Sequence, residues 1–182
     1  MLRATGGISP LKTLLASGSF GIPDFQRNYA WGQDQVEAFW NDIVFVAKTN
    51  TMSHFIGSVI VLNQGQENRA LIIDGQQRMT TIVMTLSVLR DIMVETGLTS
   101  LPAEVQDGFP VYPLNEVQNI LFNGGAARYD ANPVLQERFL DCVIRDPNDP
   151  LRETFKKTEN PDSLQLRKAY WYLKDEVKSY VD

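Results

Sequence analysis

Near the middle of the chain the apolar run LIID ends in Asp74-Gly75, and Gln76, Gln77 and Arg78 follow before an apolar periodic stretch resumes at Met79. If a strand stops at Asp74 and a helix starts near Gln76, the N–H groups of Gln76, Gln77 and Arg78 have no intrahelical acceptors and stand at the positive end of the helix dipole. Gly75 would let a ligand approach the backbone, so the turn suits an anion. Arg78 adds a planar fork matched to phosphate oxygens, and Asp74 could hold a divalent metal or orient a water. Both amides donate and accept, as phosphate, ribose or a base edge requires. A reading without a ligand is also open: Asp74 and Gln77 have the spacing of a capping box. Capping leaves Arg78 unexplained, because the dipole opposes a cation in the first turn by about a few tenths of a kcal/mol or more.

A second cluster lies upstream in IPDFQRNYAW, where Phe25, Gln26, Arg27, Tyr29 and Trp31 fall within seven residues. Rings interleaved with an amide and an arginine could stack a base or wall a pocket beside a phosphate. They could equally dock a loop on the core. Arg128-Tyr129-Asp130, after Gly124-Gly125, reads as a turn that could bring a further charge to a site, and Lys156-Lys157 reads as a solvated face.

These residues need elements to hold them. Ser9-Pro10 is a helix start, and Leu11, Leu14 and Leu15 give an apolar face before Gly18. SFGIP is a short extended piece and IPDFQRNYAW a loop, since Pro23 is a poor ladder member. Val36, Phe39, Trp40, Ile43, Val44 and Ala47 predict a helix capped by Asp34. FIGSVIVL reads as a buried strand, NQGQENRA as turn chemistry, and ALII as a second strand antiparallel to the first. Met79, Ile82, Val83, Leu86, Leu89 and Met93 predict the clearest helix, closed by Gly97. A connector rich in Gly and Pro follows to Pro113. Helices are expected at about 114–122 and 133–144, with a polar loop at 146–162. A last helix from Ser163 buries Leu166, Ala169, Tyr170, Leu173, Val177 and Tyr180. It reaches the final residue without a stop signal, so the natural protein is expected to continue past Asp182. The fold class is α+β: a small α/β core over residues 1–97 and a helical annex over 98–182.

Bulk properties remove several chemistries. A chain of 182 residues can bury a proper core. With one cysteine (Cys142) and one histidine (His54), an internal disulfide, a structural zinc site and an HNH-type nuclease centre are all excluded. No membrane span or signal peptide is visible, which predicts a cytoplasmic protein without membrane contact. The net charge is −5, against adhesion to nucleic acid by charge alone, yet residues 1–90 carry 7 Lys/Arg against 6 Asp/Glu and residues 91–182 carry 10 against 16.

IPDFQRNYAW, FIGSVIVL and IIDGQQRMTTI, in this order and spacing, resemble the three N-terminal signature blocks of the DUF262 family, within the ParB/sulfiredoxin-like superfamily. The resemblance extends into LRKAYWYLKDEV and so covers most of the chain. It implies a ParB-like core with a small mixed sheet and flanking helices. It also implies that Asp74, Gly75, Gln76, Gln77 and Arg78 bind a nucleoside triphosphate, GTP or another, with Mg2+ or a similar divalent cation. On this carry-over Asp74, Gln77 and Arg78 are the catalytic set, Asp74 is the metal ligand, and Arg27 joins the nucleotide site. Gln26 and Arg27 face that site or DNA, with Phe25, Tyr29 and Trp31 shaping the pocket. Phe25 stands where the family commonly has tyrosine, and Met79 where it has leucine.

The leading expectation is therefore a metal-dependent NTPase module of a modification-dependent restriction or phage-defence system, gating a nuclease domain or subunit outside this chain. The alternative is a non-hydrolytic module that reads modified DNA, for example phosphorothioated duplex, through Gln26 and Tyr29. A third possibility is a degenerate scaffold for a partner.

Overall fold

The computed structural model describes residues 6–49, 53–63, 69–97, 114–132, 139, 143–150, 152 and 164–181. The first elements are α1 (Leu11–Ala16), β1 (Ser19–Gly21), α2 (Gln33–Thr49), β2 (Ile60–Asn63), β3 (Arg69–Asp74) and α3 (Gln76–Glu95). They are followed by α4 (Leu114–Leu121), the short strands β4 (Phe122–Asn123), β5 (Ala126–Ala127) and β6 (Tyr129–Asp130), and α5 (Leu164–Val181). The class is the expected α+β, a small mixed sheet with flanking helices.

The four-stranded sheet has the order β2-β3-β1-β6. β1 is parallel to both β3 and β6, and β2 is antiparallel to β3. The expected ALII strand thus pairs with its predecessor as predicted. Arg69 on β3 reaches over Gly21 of β1 to the Asp130 carboxylate on β6, at 2.6 Å. Any Cβ at position 21 would collide with that guanidinium, so the glycine permits a side-chain tie across three strands.

α3 is the central element. It packs on α4 and α5 and buries residues on every face, including Met79, Ile82, Val83, Met84, Val88 and Ile92. An apolar stripe predicted its existence, but a helix enclosed all round must also bury Thr80, Thr81, Thr85, Ser87, Arg90 and Asp91. The three threonines donate their hydroxyls to carbonyls one turn back, which satisfies them without a partner element. Residues from 15 to 177 form one hydrophobic cluster, so the stretches on either side of residue 97 share a core.

At the far end of α3 lies a buried ionic cluster. The Asp91 carboxylate accepts from Arg90 at 2.7 Å, from Arg152 at 2.6 Å and from the Tyr170 hydroxyl at 2.8 Å. Arg90 also donates to the carbonyls of Val143, Ile144 and Arg145. α3, α5 and residues 143–152 between them are joined there by buried polar contacts.

Several expectations are corrected. α1 starts at Leu11 with Pro10 as N-cap, and Ser9 makes no cap, since its hydroxyl lies 3.4 Å from the Pro10 carbonyl outside the helix. α2 begins before Asp34, which lies in its first turn, and the Gln35 side chain reaches back to accept the Gly32 N–H at 2.9 Å, the second half of a capping box. FIGSVIVL becomes a strand only at Ile60, and that strand is an exposed edge, with Ile60 55% accessible. β-Branched content predicted burial, but among the described residues β2 stands at the edge of the sheet. Tyr129-Asp130 is no turn; it pairs with Phe20-Gly21 of β1. Tyr180 is largely exposed, edge-on to Trp40 at the rim of the α5 face.

His54 lies near the start of the segment leading to β2, 3.8 Å from the Asp42 carboxylate. The 98–113 connector, the turn at 64–68, most of the 133–144 helix with Cys142, and Lys156-Lys157 within the 146–162 loop lie outside the described residues. Among the described residues no helix is long and apolar enough to cross a membrane.

Candidate functional site

The junction between β3 and α3 carries the first cluster. β3 ends at Asp74, Gly75 is the N-cap at φ 86, and α3 starts at Gln76, as the sequence predicted. A left-handed N-cap suits glycine, and a Cβ there would also stand 3.0 Å from the Ser58 carbonyl. Asp74 makes no cap, so the capping-box reading fails: the polypeptide turns at Gly75, and the carboxylate stays exposed at the strand end.

The two amides are clamps on the upstream loop. Gln77 accepts the Ala30 N–H at 2.7 Å and donates to the Asn28 carbonyl at 3.1 Å. Gln76 donates to the Gln26 side chain at 2.9 Å, and Gln26 in turn donates to the Ile73 carbonyl at 3.0 Å. That carbonyl is available because the β2–β3 register slips between Ile60 and Val61, whose partners are Asp74 and Ile72, leaving Ile73 as a bulge. Asn132, just past β6, donates to the Gln26 carbonyl at 2.6 Å. Beyond the Ile22 N–H, which is donated to the Asp130 carbonyl at 3.1 Å, IPDFQRNYAW is thus fixed to its neighbours by side chains.

Two tyrosines complete the frame. Tyr29 meets Thr81 at 2.8 Å and Tyr129 meets Thr80 at 2.6 Å. Each threonine gives its single hydroxyl hydrogen to a helix carbonyl, so each tyrosine is the donor. Tyr29 is enclosed against α3 and does not line the cavity, and Phe25, 78% exposed, does not line it either.

Gln77→Leu is expected to cost about 1–3 kcal/mol, because it strands the Ala30 N–H and the Asn28 carbonyl in a partly buried loop. Urea unfolding followed by tryptophan fluorescence would measure it, and a loss below about 0.5 kcal/mol would contradict the clamp.

Burial raises the phenols of Tyr29, Tyr129 and Tyr170 above their usual range, and for Tyr170 the nearby Asp91 charge adds to this. A phenol whose pKa is higher folded than unfolded favours the fold fully below the unfolded value, about 10, and loses that contribution as pH rises toward the folded value. Stability is therefore expected to fall above pH of about 10 by up to about 1.4 kcal/mol per pH unit for each of these tyrosines. Denaturant midpoints across that range, with phenolate absorbance recorded in parallel, would test it. Phenolate appearing before unfolding would refute the assigned order.

Around this frame lies a cavity of about 410 Å³ lined by Gln26, Arg27, Trp31, Ser58 and the whole run from Ile73 to Arg78. Trp31 is backed by Phe39, ring centroids 6.2 Å apart, and so presents a supported wall. Arg27 is exposed at the rim. Arg78 donates to the Ser58 carbonyl at 2.9 Å, and among the described residues no carboxylate lies within ion-pair distance of it. The cavity therefore offers two guanidinium groups, the first-turn N–H groups of α3, and the Asp74 carboxylate. Such a donor set suits a polyanion.

No group of three or more His, Cys, Asp or Glu positioned to hold a metal occurs among the described residues. Asp74 places one carboxylate on the cavity wall, and one carboxylate suits Mg2+ that arrives already bound to phosphate.

Thus Asp74, Gly75, Gln76, Gln77, Arg78, Gln26, Arg27 and Trp31 come together, while Phe25 and Tyr29 stand apart from the cavity. Ser58, Thr80, Thr81 and Asn132 were assigned no role from the sequence, and Tyr129 was read only as part of a turn. The paired threonines Thr80-Thr81, just past Met79, were the available signal, since hydroxyls on a buried helical face call for partners. Arg128 takes no part: it donates to the carbonyls of Asn119 and Phe122.

The chain matches the family model described as the GmrSD restriction endonuclease, N-terminal domain, over residues 11–181. No curated protein matches it.

Proposed function

This chain belongs to the family of GmrSD restriction endonuclease N-terminal domains, a DUF262-type phage-defence family, and on that premise we propose that its cavity binds a nucleoside triphosphate and hydrolyses it. The energy of that step would gate a nuclease elsewhere in the same restriction system. The observation that carries this reading is the convergence of Arg27, Arg78 and Asp74 on one cavity at the N-terminus of α3.

In the reaction, water attacks the terminal phosphorus, the bond to the bridging oxygen breaks, and inorganic phosphate and a nucleoside diphosphate leave, with one proton released. The first-turn N–H groups bind phosphate oxygens, and Arg78 opposes the charge that builds on them. Asp74 would hold a divalent ion bound with the triphosphate, and that ion supplies charge neutralisation between phosphates. Gln76 and Gln77 act indirectly, because their amides are occupied in holding the loop that carries Arg27 and Trp31. The base would rest against Trp31.

Phosphate release from ATP, GTP, CTP and UTP, with and without magnesium and with unmodified or phosphorothioated duplex, tests the reading. Magnesium-dependent release from one or more nucleotides supports it, and stimulation by one duplex names the signal. No release under any of these conditions, by a chain that is folded, would refute it.

One observation favours the DNA-reading alternative: Phe25 and Arg27 are exposed two residues apart on the same clamped loop. A solvent-facing ring beside a cation is the arrangement of a stacking platform. On this reading modified duplex binds without hydrolysis, and binding weakens with salt and with Phe25→Ala or Arg27→Ala. Tyr29, enclosed behind the loop, would act only by holding it.

A further inference from the structure

In the second sequence block, FIGSVIVL, only the last three residues are strand, and the part before them meets Arg78. Gly57 has φ 103, a conformation that L side chains rarely adopt. An ideal Cβ at that position would lie 2.5 Å from the Arg78 Cζ, 2.7 Å from Nη2 and 2.8 Å from Nη1. The guanidinium therefore rests on the bare backbone of Gly57. One residue on, the Ser58 carbonyl accepts from Arg78 Nη1 at 2.9 Å, and the same carbonyl lies 3.0 Å from where a Cβ of Gly75 would be.

Three backbone features thus fix one side chain. The glycine surface meets the guanidinium, the carbonyl holds one of its nitrogens, and Gly75 lets that carbonyl sit against the start of α3. Held in this way, a side chain with several free torsions keeps one orientation, with Ser58 and Arg78 both on the cavity wall.

We infer that Gly57 and the Ser58 carbonyl form a seat for Arg78, which makes Gly57 a positioning residue for the hydrolysis proposed above. The inference rests on that hydrolytic reading for its effect on turnover, whereas the seat itself is a statement about two side-by-side residues. Gly57 touches no substrate; it acts through the orientation of Arg78. A misplacement of a positioned group by about 1 Å can cost on the order of a hundredfold in rate.

The experiment is a double-mutant cycle on the full chain, read in two ways. For turnover, G57A is expected to lower the rate of phosphate release at least about tenfold with a smaller change in KM. In the R78A background G57A should have no further effect on turnover, and in the R78K background its effect should shrink, because an ammonium on a slender stem can yield to a methyl group. For stability, G57A should lower Tm more in the parent than in the R78A background, where the space beside position 57 is empty. Additive effects of G57A and R78A in turnover or in Tm would overturn the seat. If G57A alone does not fold, rescue of folding in the R78A background supports the contact; if it folds in neither, the backbone strain at φ 103 is the cause, and the cycle is repeated with G57N, whose side chain tolerates positive φ better, where additivity with R78A overturns the seat. If the parent releases no phosphate from any nucleotide, the hydrolytic reading fails separately, and the Tm cycle alone then decides on the seat.

Discussion

Asp91→Ala is expected to lower stability by about 3–5 kcal/mol, the scale for removing one partner of a buried ion pair. The carboxylate is fully enclosed and is the shared counter-ion of Arg90 and Arg152, themselves 1% and 9% exposed. Removing it takes from two buried guanidinium groups the carboxylate they share, and from the Tyr170 hydroxyl the Asp91 acceptor. Domains are stable by only about 5–15 kcal/mol, so a large part of the margin goes. The midpoint of thermal unfolding should drop by roughly 10 °C or more. Replacing the charges together by apolar residues often restores stability elsewhere, but full recovery is not expected here. Arg90 also donates to the carbonyls of residues 143–145, and an apolar side chain would remove those bonds. Urea unfolding of the parent and the variant measures the effect, and a loss below about 1 kcal/mol would sink this account of the cluster.

Arg78→Ala is expected to do the opposite: leave the fold nearly unchanged and remove activity. The side chain is partly exposed, its bond is to a carbonyl at the surface, and its charge stands at the end of α3 where the dipole disfavours a cation. Relief of that repulsion, about 0.3–1 kcal/mol, offsets most of the lost hydrogen bond. Phosphate release, by contrast, should fall on the order of 10²–10³-fold, the usual consequence of deleting one donor aimed at developing oxyanion charge. A residue that is electrostatically misplaced in the free protein and indispensable in the reaction is the signature of a functional charge. Arg78→Lys should recover only part of the rate, since a point charge cannot present two parallel N–H groups. Equal rates for the parent and Arg78→Ala, in a folded protein, would remove Arg78 from the mechanism and leave the DNA-reading account ahead.

The strand-turn-helix at residues 69–95 was legible because its signals are local. An apolar run, a glycine at a required turn and a helical stripe each depend on neighbours within a few positions. The same locality explains what was misread. Gln77 looks like a cap from its distance to Asp74, yet its partners are Asn28 and Ala30, placed there by the tertiary fold. The β2 segment has the residues of a core strand but takes an edge, which depends on sheet order and not on composition. Arg90, Asp91 and Arg152 were unreadable for a further reason: a buried charge is recognisable only when the counter-charge that permits it is known. For the candidate site, the residue types were visible in the sequence, but their division into loop clamps (Gln26, Gln76, Gln77) and cavity cations (Arg27, Arg78) needed coordinates.

The strand β1 has a consequence for how the protein is made. Its two neighbours in the sheet are both parallel to it, and one of them, β6, is synthesised long after β1 has left the ribosome. Asn132 grips Gln26 across a separation of 106 residues. A nascent chain that ends before Tyr129 therefore has an open edge on β1, no donor for Thr80, and a loop held on one side only. Contacts of such long range are slow to form and expose unpaired edges while they wait. The loop cannot be locked from both sides until this late strand arrives, so a fragment ending at residue 97 should be prone to aggregation, and coexpression with the remainder should be needed to keep it soluble.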